Sequence, residues 1–449
     1  MLNLSEIAAV LKADHVGPDA RFASVSTDSR KVSPGALFIA LRGERFNGCD
    51  FLPLAQQGGA VAAIVENRVE ADIPLLVVED ARRALGQLAA FWRSRFDIPV
   101  IAITGSNGKT TVKEMLASIL RELGEVLATR GNLNNDIGLP LTLLGLRPEH
   151  RFAVVEMGMN HRGEIAYLCD IAKPDIALVT NAASAHLAGL GSIGEVARAK
   201  GEIFEGMSGN GIALINADDA YAPLWRELAG DRRIIDFALS RDACLTAKYS
   251  LLEFGSKIAI RTPEGEVNAE IAAPGLHNVR NALAAAAAAH ACGIGNDAIA
   301  AGLGKFEGVA GRMQRRNGRH GAILIDDTYN ANPDSVKAAI AWLSGMKGRT
   351  VLILGDMGEL GPDASKLHEA VGLAAKEAGI GALLTLGRTG RDAAESFGEG
   401  AFAFDDMDEL ICMADSLMGQ DVPVLVKGSR FMKMERIVEK LEEKGAACS

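Results

Sequence analysis

Ile101-Ala102-Ile103-Thr104-Gly105-Ser106-Asn107-Gly108-Lys109-Thr110-Thr111 joins an apolar run to a helix-forming segment in a chain of 449 residues. The run from Val100 to Thr104 has the composition of a strand buried on both faces, and the stretch from Lys109 to Leu123 has helical periodicity. Glycines at 105 and 108 permit a tight loop between the two, where inward-pointing amides, the helix amino terminus and Lys109 offer positive potential to phosphate oxygens. A hydroxyl at Thr110 then falls within reach of Mg2+. Only Ser106 and Asn107 separate the two glycines, so the loop is a shortened variant of the P-loop pattern. A plain glycine turn does not call for Gly-Lys-Thr directly after an apolar strand. Nucleotide phosphate binding by Gly105, Ser106, Asn107, Gly108, Lys109, Thr110 and Thr111 is therefore expected.

Upstream, residues 1–97 alternate short apolar runs (37–41, 60–65 and 75–78) with helical stretches that end in 81–96, the pattern of a small N-terminal α/β domain. Asp97-Ile98-Pro99 breaks that last helix, because the residue before proline is pushed out of the α region, and the first boundary is placed there. Residues 98–311 read as strand then helix, with strands near 100–104, 152–157, 176–180 and 211–215, which predicts a central P-loop ATPase-like parallel sheet domain. An antiparallel flap is expected over 245–271, and a helix opening near Asn278 follows it. From 312 to 449 strands at 322–325, 351–354, 383–386 and 422–426 are each followed by a loop and a helix. That predicts a C-terminal Rossmann-like doubly wound domain, whose ligands sit beyond the carboxyl ends of the strands, where Asp326, Asp356, Arg388 and Lys427 fall. A length of about 150 residues per domain likewise gives about three domains, and the fold class is α/β.

Composition excludes several other classes. Hydrophobic residues at 48% and charged residues at 23% fit a globular chain that folds unaided. A net charge of −10 leaves no global positive field for nucleic acid or an anionic membrane, so an anionic ligand must be held locally. The longest apolar stretch, 282–289, is far short of the roughly 20 residues that cross a bilayer. Met1 to Ala13 carries Glu6 and no basic flank, unlike a secretory signal, and a cytoplasmic protein is expected. Cysteines at 49, 169, 244, 292, 412 and 448 show no paired spacing, which reads as reduced thiols rather than a zinc site or a disulfide framework.

The loop Thr104-Gly105-Ser106-Asn107-Gly108-Lys109-Thr110 resembles the ATP loop of the Mur ligase family, which includes the peptidoglycan amino-acid ligases and folylpolyglutamate synthase. Four further segments are similar to the branch of that family that adds D-alanyl-D-alanine to UDP-N-acetylmuramoyl-tripeptide. They are Asn132-Leu133-Asn134-Asn135-Asp136-Ile137-Gly138, Glu156-Met157-Gly158-Met159-Asn160-His161, the run from Asp326 to Pro333, and the run from Leu354 to Gly361. Ser26-Thr27-Asp28-Ser29-Arg30 resembles a uridine-diphosphate-binding segment, so the likeness reaches the first domain too. One departure is Asn47-Gly48-Cys49-Asp50, where Asp-Gly-His-Asp or a near variant is expected. The resemblance implies an ADP-forming ligase of peptidoglycan biosynthesis that uses ATP and two Mg2+ sites. It also implies a monomer that takes the UDP-linked tripeptide and the dipeptide as partners, with no nucleic acid and no membrane insertion.

An amine does not displace oxygen from a carboxylate at neutral pH. Such a ligase transfers the γ-phosphoryl group of ATP to the carboxylate, and the amine attacks the resulting acyl phosphate. Anionic groups crowd together throughout, so positioning and cations supply most of the catalysis. Lys109 is the candidate for the β- and γ-phosphates, and Glu156, which ends an apolar strand beside the loop, is placed to hold Mg2+ together with Thr110. The 14-residue spacing of His186 and Lys200 is similar to that of a histidine and a carbamoylated lysine in the family, which implies these two as ligands of a second Mg2+. Carbamoylation turns a cation that would repel metal into an anionic oxygen ligand. Asn278 and Asn281 resemble the asparagines that meet adenine, with helix capping the alternative for Asn278. Arg312 resembles a phosphate-contacting arginine, and Asp327 resembles an acid on the ribose or γ-phosphate side, with Asp326 an open alternative.

For the substrates, Thr27, Ser29 and Arg30 suit a diphosphate, although Asp28 and Arg30 could simply pair with each other in a turn. Asn134, Asn135, Asn160 and His161 fall on loops expected to face the cleft, and Asp356 ends a strand of the third domain. Lys427, Ser429 and Arg430 follow the last strand and suit the dipeptide carboxylate at a helix start. Rival readings are a sister ligase that adds a single amino acid, folylpolyglutamate synthase, and an ATP-driven scaffold from another class altogether. The third-domain motifs and the nucleotide-like segment argue against the first two, and the intact metal and lysine set argues against the third.

Overall fold

The computed structural model describes residues 1–184 and 187–443, whose strands form three sheets drawn from residues 14–77, 100–271 and 314–427. The first sheet has the strand order Asp14–Val16, Leu75–Val77, Ala60–Val65, Ala36–Ile39, Ser24–Ser26, parallel throughout except for its first pair. Helix Ala81–Arg93 starts where the Asp80 carboxylate accepts the amides of Arg82 and Arg83, which satisfies two of the donors a helix start leaves open. This helix packs on helices Gly138–Leu143 and Glu164–Ala172 of the following unit. One continuous core therefore holds Leu85 and Leu88 together with Leu139, Leu143 and Leu168. Trp92 Nε1 donates to the Leu146 carbonyl at 3.1 Å and Arg93 Nε to that of Ala172 at 2.8 Å, so the seam is polar at its edge and apolar at its centre.

The central sheet runs Gly265–Ile271, Gly255–Thr262, Leu245–Leu252, Arg233–Ala238, Ile212–Asn216, Ile176–Val179, Val100–Thr104, His150–Glu156, Glu125–Ala128. The six strands from Arg233–Ala238 to Glu125–Ala128 are parallel, and the three from 245 to 271 form the antiparallel flap. Every residue of Val100–Thr104 is buried, as its unbroken apolar run requires. After this strand the chain forms helix Lys109–Arg121 and crosses to the far edge, while the next strand on its other side is Ile176–Val179. Strand order thus changes direction at Val100–Thr104, which is where such sheets open a crevice. Helix Leu276–Ala291 begins after Gly275, two residues before the expected Asn278, and its alanines from 282 to 289 are all buried. Small side chains let it lie close against Lys109–Arg121.

The C-terminal sheet has the order Gln314–Asn317, Ile323–Asp327, Pro423–Lys427, Val351–Gly355, Ala382–Leu386, Ala401–Phe404. Only Gln314–Asn317 is antiparallel to its neighbour. Its two faces carry separate cores, one around Leu352 and Leu354 and one around Ile353 and Val424, as alternation along a two-sided sheet requires. Among the described residues no helix is long and apolar enough to cross a membrane, and the five described cysteines are unpaired.

Candidate functional site

A cleft of about 900 Å³ opens where the carboxyl ends of the central and C-terminal strands face each other. Ser106 to Thr111 form its floor. Gly105 has φ +147° and a Cβ there would stand 1.8 Å from Thr180 Oγ1, while Gly108 has φ +86° and a Cβ there would stand 2.4 Å from Asn281 Oδ1. Both positions demand glycine on conformation and on space. Two loop amides are already spoken for: Ser106 N donates to the Asn181 carbonyl and Asn107 N to Asn181 Oδ1, each at 3.0 Å. The expectation that these amides face the phosphate is corrected accordingly. The open donors are the first-turn amides of helix Lys109–Arg121, which lack intrahelical partners by geometry. Lys109 Nζ donates to the Gly105 carbonyl at 2.5 Å. Burial brings its ammonium down to about 8; Glu156 and Glu359 act upward and Arg312 downward.

Below the loop, Glu156 closes strand His150–Glu156 with its amide donated to Thr129 Oγ1 at 2.9 Å. Its carboxylate is 1% exposed; Thr110 Oγ1 lies 3.3 Å from Oε2, and Oε1 has no hydrogen-bond partner. The Lys113 ammonium, 3.8 Å away, balances the charge of this buried oxygen without hydrogen-bonding it, so its acceptor capacity is unspent. Together with the Thr110 hydroxyl it forms a pair of hard oxygen donors that fits Mg2+, an ion usually held by one or two carboxylates plus substrate phosphates. Among the described residues no cluster of three or more His, Cys, Asp or Glu side chains could hold a metal by itself. Lys200, on helix Ile193–Glu205, is buried with no hydrogen bond or ion pair among the described residues. Burial first and the Lys109 charge second hold its amine well below the usual lysine range. His186, assigned with it to a second metal, lies outside the described residues.

The opposite wall comes from the C-terminal unit. Arg312 Nη2 donates to Thr110 Oγ1 at 2.9 Å, and its guanidinium lies 4.2 Å over the Tyr329 ring. Asp327 Oδ2 pairs with Lys427 Nζ at 2.6 Å while Oδ1 accepts the Met313 amide. Asp326 instead turns inward to Thr328, accepting its hydroxyl at 2.6 Å, so of the two neighbouring acids only Asp327 lines the cleft. Asn332 Nδ2 reaches Asn107 Oδ1 at 2.8 Å, and its Oδ1 caps helix Pro333–Leu343 through Ser335 N. Asn278 and Asn281 line the cleft in a chain, Asn281 Nδ2 donating to Asn278 Oδ1 and Asn278 Nδ2 to the Pro274 carbonyl. Asn278 sits inside the first turn and is not the helix cap.

Three family models match the chain: the Mur ligase family catalytic domain over residues 21–93, the Mur ligase middle domain over 103–289 and the Mur ligase glutamate ligase domain over 311–430. The chain belongs to the Mur ligase family. It is 43% identical to the UDP-N-acetylmuramoyl-tripeptide–D-alanyl-D-alanine ligase of Escherichia coli (strain K12), over 99% of both chains. To the ligase of the same name from Haemophilus influenzae it is 38% identical, again over 99% of both. Among solved structures, MurF from Acinetobacter baumannii superposes with a TM-score of 0.92 at 36% identity, covering 98% of each chain. MurF ligase from Thermotoga maritima in complex with ADP superposes at 0.82 with 27% identity, over 93% of this chain and 96% of that one.

In this Mur ligase several residues expected at the site stand elsewhere or act otherwise. Asn134, Asn135 and Asn160 line the cleft, although Asn135 also spends its Oδ1 on the amides of Ile137 and Gly138 at the start of a helix. His161 stands outside the lining and pairs with Glu164 at 3.0 Å. Asp356 does not line the cleft, because its Oδ1 accepts the Gly390 amide at 2.7 Å and ties two loops of the C-terminal sheet together. Thr27, Ser29 and Arg30 also lie outside it, and Arg30 forks onto Asp28 with two bonds of 2.9 Å. That pairing holds the Asp28 carboxyl down at about 2, so the turn-pair reading describes Arg30 in this structure. Lys427, Ser429 and Arg430 do line the cleft, but no long helix starts there: Arg430–Met432 is a single 3-10 turn and the helix begins at Glu435. The positive charge of Lys427 is already met by Asp327. At the departure Asn47-Gly48-Cys49-Asp50, Asn47 Oδ1 accepts the Cys49 amide and caps the short turn Gly48–Phe51. Asn181 and Lys113 fall outside every motif that the sequence offers, while Tyr329 and Asn332 lie within the run from Asp326 to Pro333 without being singled out there as site residues. Asn332 carried a further signal, an asparagine before a helix-starting proline.

Proposed function

We infer that this Mur ligase joins D-alanyl-D-alanine to UDP-N-acetylmuramoyl-tripeptide at the expense of ATP, releasing ADP and phosphate and yielding the UDP-muramoyl-pentapeptide precursor of peptidoglycan. The reading rests above all on one juxtaposition. A phosphate loop with Lys109, Thr110 and Glu156 faces Arg312 and the Asp327–Lys427 pair across a single cleft. Its substrates are carried over from the full-length relatives, and an ATP-consuming step on a nucleotide-linked precursor belongs in the cytoplasm.

The carboxylate of the tripeptide attacks the γ-phosphorus, ADP leaves, and the amine of the dipeptide then attacks the acyl carbon, so that the C–N bond forms as phosphate departs with one carboxylate oxygen. Lys109 and the first-turn amides hold the β- and γ-phosphates, and Arg312 approaches the same oxygens from the other wall. Thr110 and Glu156 are the residues that fit Mg2+, which when bound neutralises charge between the phosphates. Asn278 and Asn281 meet the adenine end, and Asp327 the ribose or γ-phosphate side. Asn134, Asn135 and Asn160 orient the sugar-peptide, and Ser429 with Arg430 holds the dipeptide carboxylate. Lys200 is carbamoylated: its buried amine, whose hold on a proton is weakened by burial and by Lys109, attacks CO2 in the unprotonated form and loses a proton to give an anionic oxygen ligand. Residues 1–97, 98–311 and 312–449 serve as the nucleotide-substrate, ATP and dipeptide units of a monomer.

The test is ADP release with each substrate left out in turn. Release that needs both the UDP-tripeptide and D-alanyl-D-alanine supports the reading. Equal release with a single amino acid in place of the dipeptide moves the protein to a sister ligase, and release that ignores both substrates makes it an ATP-driven scaffold.

A further inference from the structure

Lys113 lies one turn beyond Lys109 on helix Lys109–Arg121 and is 1% exposed, one of the largest side chains wholly buried in the protein. Lysine is seldom buried entire unless its ammonium is paired. Its Nζ donates to the Thr129 carbonyl at 2.6 Å and to Glu114 Oε1 at 2.5 Å, and stands 3.8 Å from Glu156 Oε1. Thr129 closes the circuit, because its Oγ1 accepts the Glu156 amide at 2.9 Å. The same Thr129 opens the segment that carries Asn134 and Asn135 to the cleft.

The distances divide the labour. At 3.8 Å the ammonium attracts the Glu156 carboxylate without hydrogen-bonding Oε1, while Oε2 faces the Thr110 hydroxyl at 3.3 Å. The two shorter bonds, to Thr129 and Glu114, fix where the ammonium sits. We propose that Lys113 is a positioning residue of the ligation reaction, which aims the Glu156 carboxylate at the Thr110 hydroxyl and pins the root of the asparagine-bearing segment. It touches neither nucleotide nor peptide, and acts only through Glu156 and Thr129. The inference rests on the reading of Glu156 and Thr110 as the divalent-cation site.

Lys113→Met keeps the stem and removes the charge. Mn2+ binding in the presence of ADP, followed by the electron paramagnetic resonance of free Mn2+, is expected to weaken at least fivefold, and the KM for the UDP-tripeptide to rise. Because the substitution leaves a buried carboxylate without its cation, thermal unfolding is measured on Lys113→Met and on Lys113→Met combined with Glu156→Gln. Removing the second charge is expected to recover part of the lost melting temperature. A folded Lys113→Met protein that binds Mn2+ with ADP as tightly as the parent overturns the proposal, and so does a double variant no more stable than Lys113→Met alone. A parent protein that binds no Mn2+ in the presence of ADP overturns the cation-site reading itself, and this inference with it.

Discussion

Arg312 Nη2 donates to Thr110 Oγ1 at 2.9 Å, so the residue that leads into the C-terminal sheet touches the hydroxyl that follows the phosphate-loop lysine. The same hydroxyl faces Glu156 Oε2 at 3.3 Å, which puts one oxygen between an arginine and a buried carboxylate. A second bridge, Asn332 Nδ2 to Asn107 Oδ1 at 2.8 Å, ties a helix start of the C-terminal unit to the loop itself. Bound phosphate would enter an arrangement that two units build jointly, and each expectation below depends on that.

Lys109→Ala should lower ADP release by about 10²–10³-fold, the usual effect of removing one group that meets developing charge. The ammonium lies in the cleft and, among the described residues, its one hydrogen bond is to the Gly105 carbonyl, so the fold should survive. Circular dichroism and thermal unfolding check the fold; near-parental ADP release by a folded variant would refute the role.

Lys200→Ala should be almost inactive and partly rescued by small carboxylates, which replace the missing anionic oxygens. Labelled CO2 should give a carbamate carbon signal in the parent that the variant lacks. Burial first and the Lys109 charge second lower the amine's affinity for a proton, which favours the unprotonated form that reacts with CO2. A lysine that takes up no label in active enzyme contradicts the assignment.

The C-terminal unit should swing against the central one about residues 308–312. Gly308 at φ +92° and Gly311 at φ +69° already occupy backbone regions that only glycine enters freely, so rotation there is cheap. Reacting atoms must come within roughly 3–3.5 Å and water must be kept from the acyl phosphate, both of which need a shut cleft. Scattering should show a smaller radius of gyration on saturation with ATP and UDP-tripeptide. An unchanged radius, together with full activity when the two units are cross-linked apart, would exclude the motion.

Stability should fall on mild acidification through His277. Burial brings its imidazole down to about 4 from the usual 6.5, with Asp327 acting upward and Lys427 and Arg280 downward. The unfolded chain binds this proton below about 6.5 and the folded one only near 4, so the contribution is intact above 6.5 and is lost as pH drops between those values. Urea midpoints at pH 7.5 and pH 5 should differ less in His277→Gln than in the parent. Equal pH dependence in the two proteins would reject it.

Much of the architecture was legible because its strands are unbroken apolar runs: Val100–Thr104, Val351–Gly355 and Pro423–Lys427 fall where hydrophobicity alone puts them. Glu125–Ala128 and Ala401–Phe404 escaped notice because they are sheet edges with partly exposed side chains, and edge strands need no such run. The phosphate loop was readable from its glycines, and Glu156 from its place at the end of a buried strand. Asn181 and Lys113 were not, because their roles are set by partners 74 and 16 residues away that only the folded sheet brings near. Asp356 and Arg30 show a different gap: the sequence offers them as a strand-end acid and an exposed basic residue, and only the fold shows the neighbouring amide and carboxylate that each one meets.

The chemistry assigned to the cleft is tested most directly with UDP-N-acetylmuramoyl-tripeptide carrying ¹⁸O in the carboxylate that is to be joined. If that carboxylate attacks ATP and the amine then attacks the acyl phosphate, one labelled oxygen appears in the released phosphate for each amide bond made, and mass spectrometry of the phosphate reads it. Phosphate that carries no label while the pentapeptide forms would contradict the acyl-phosphate route.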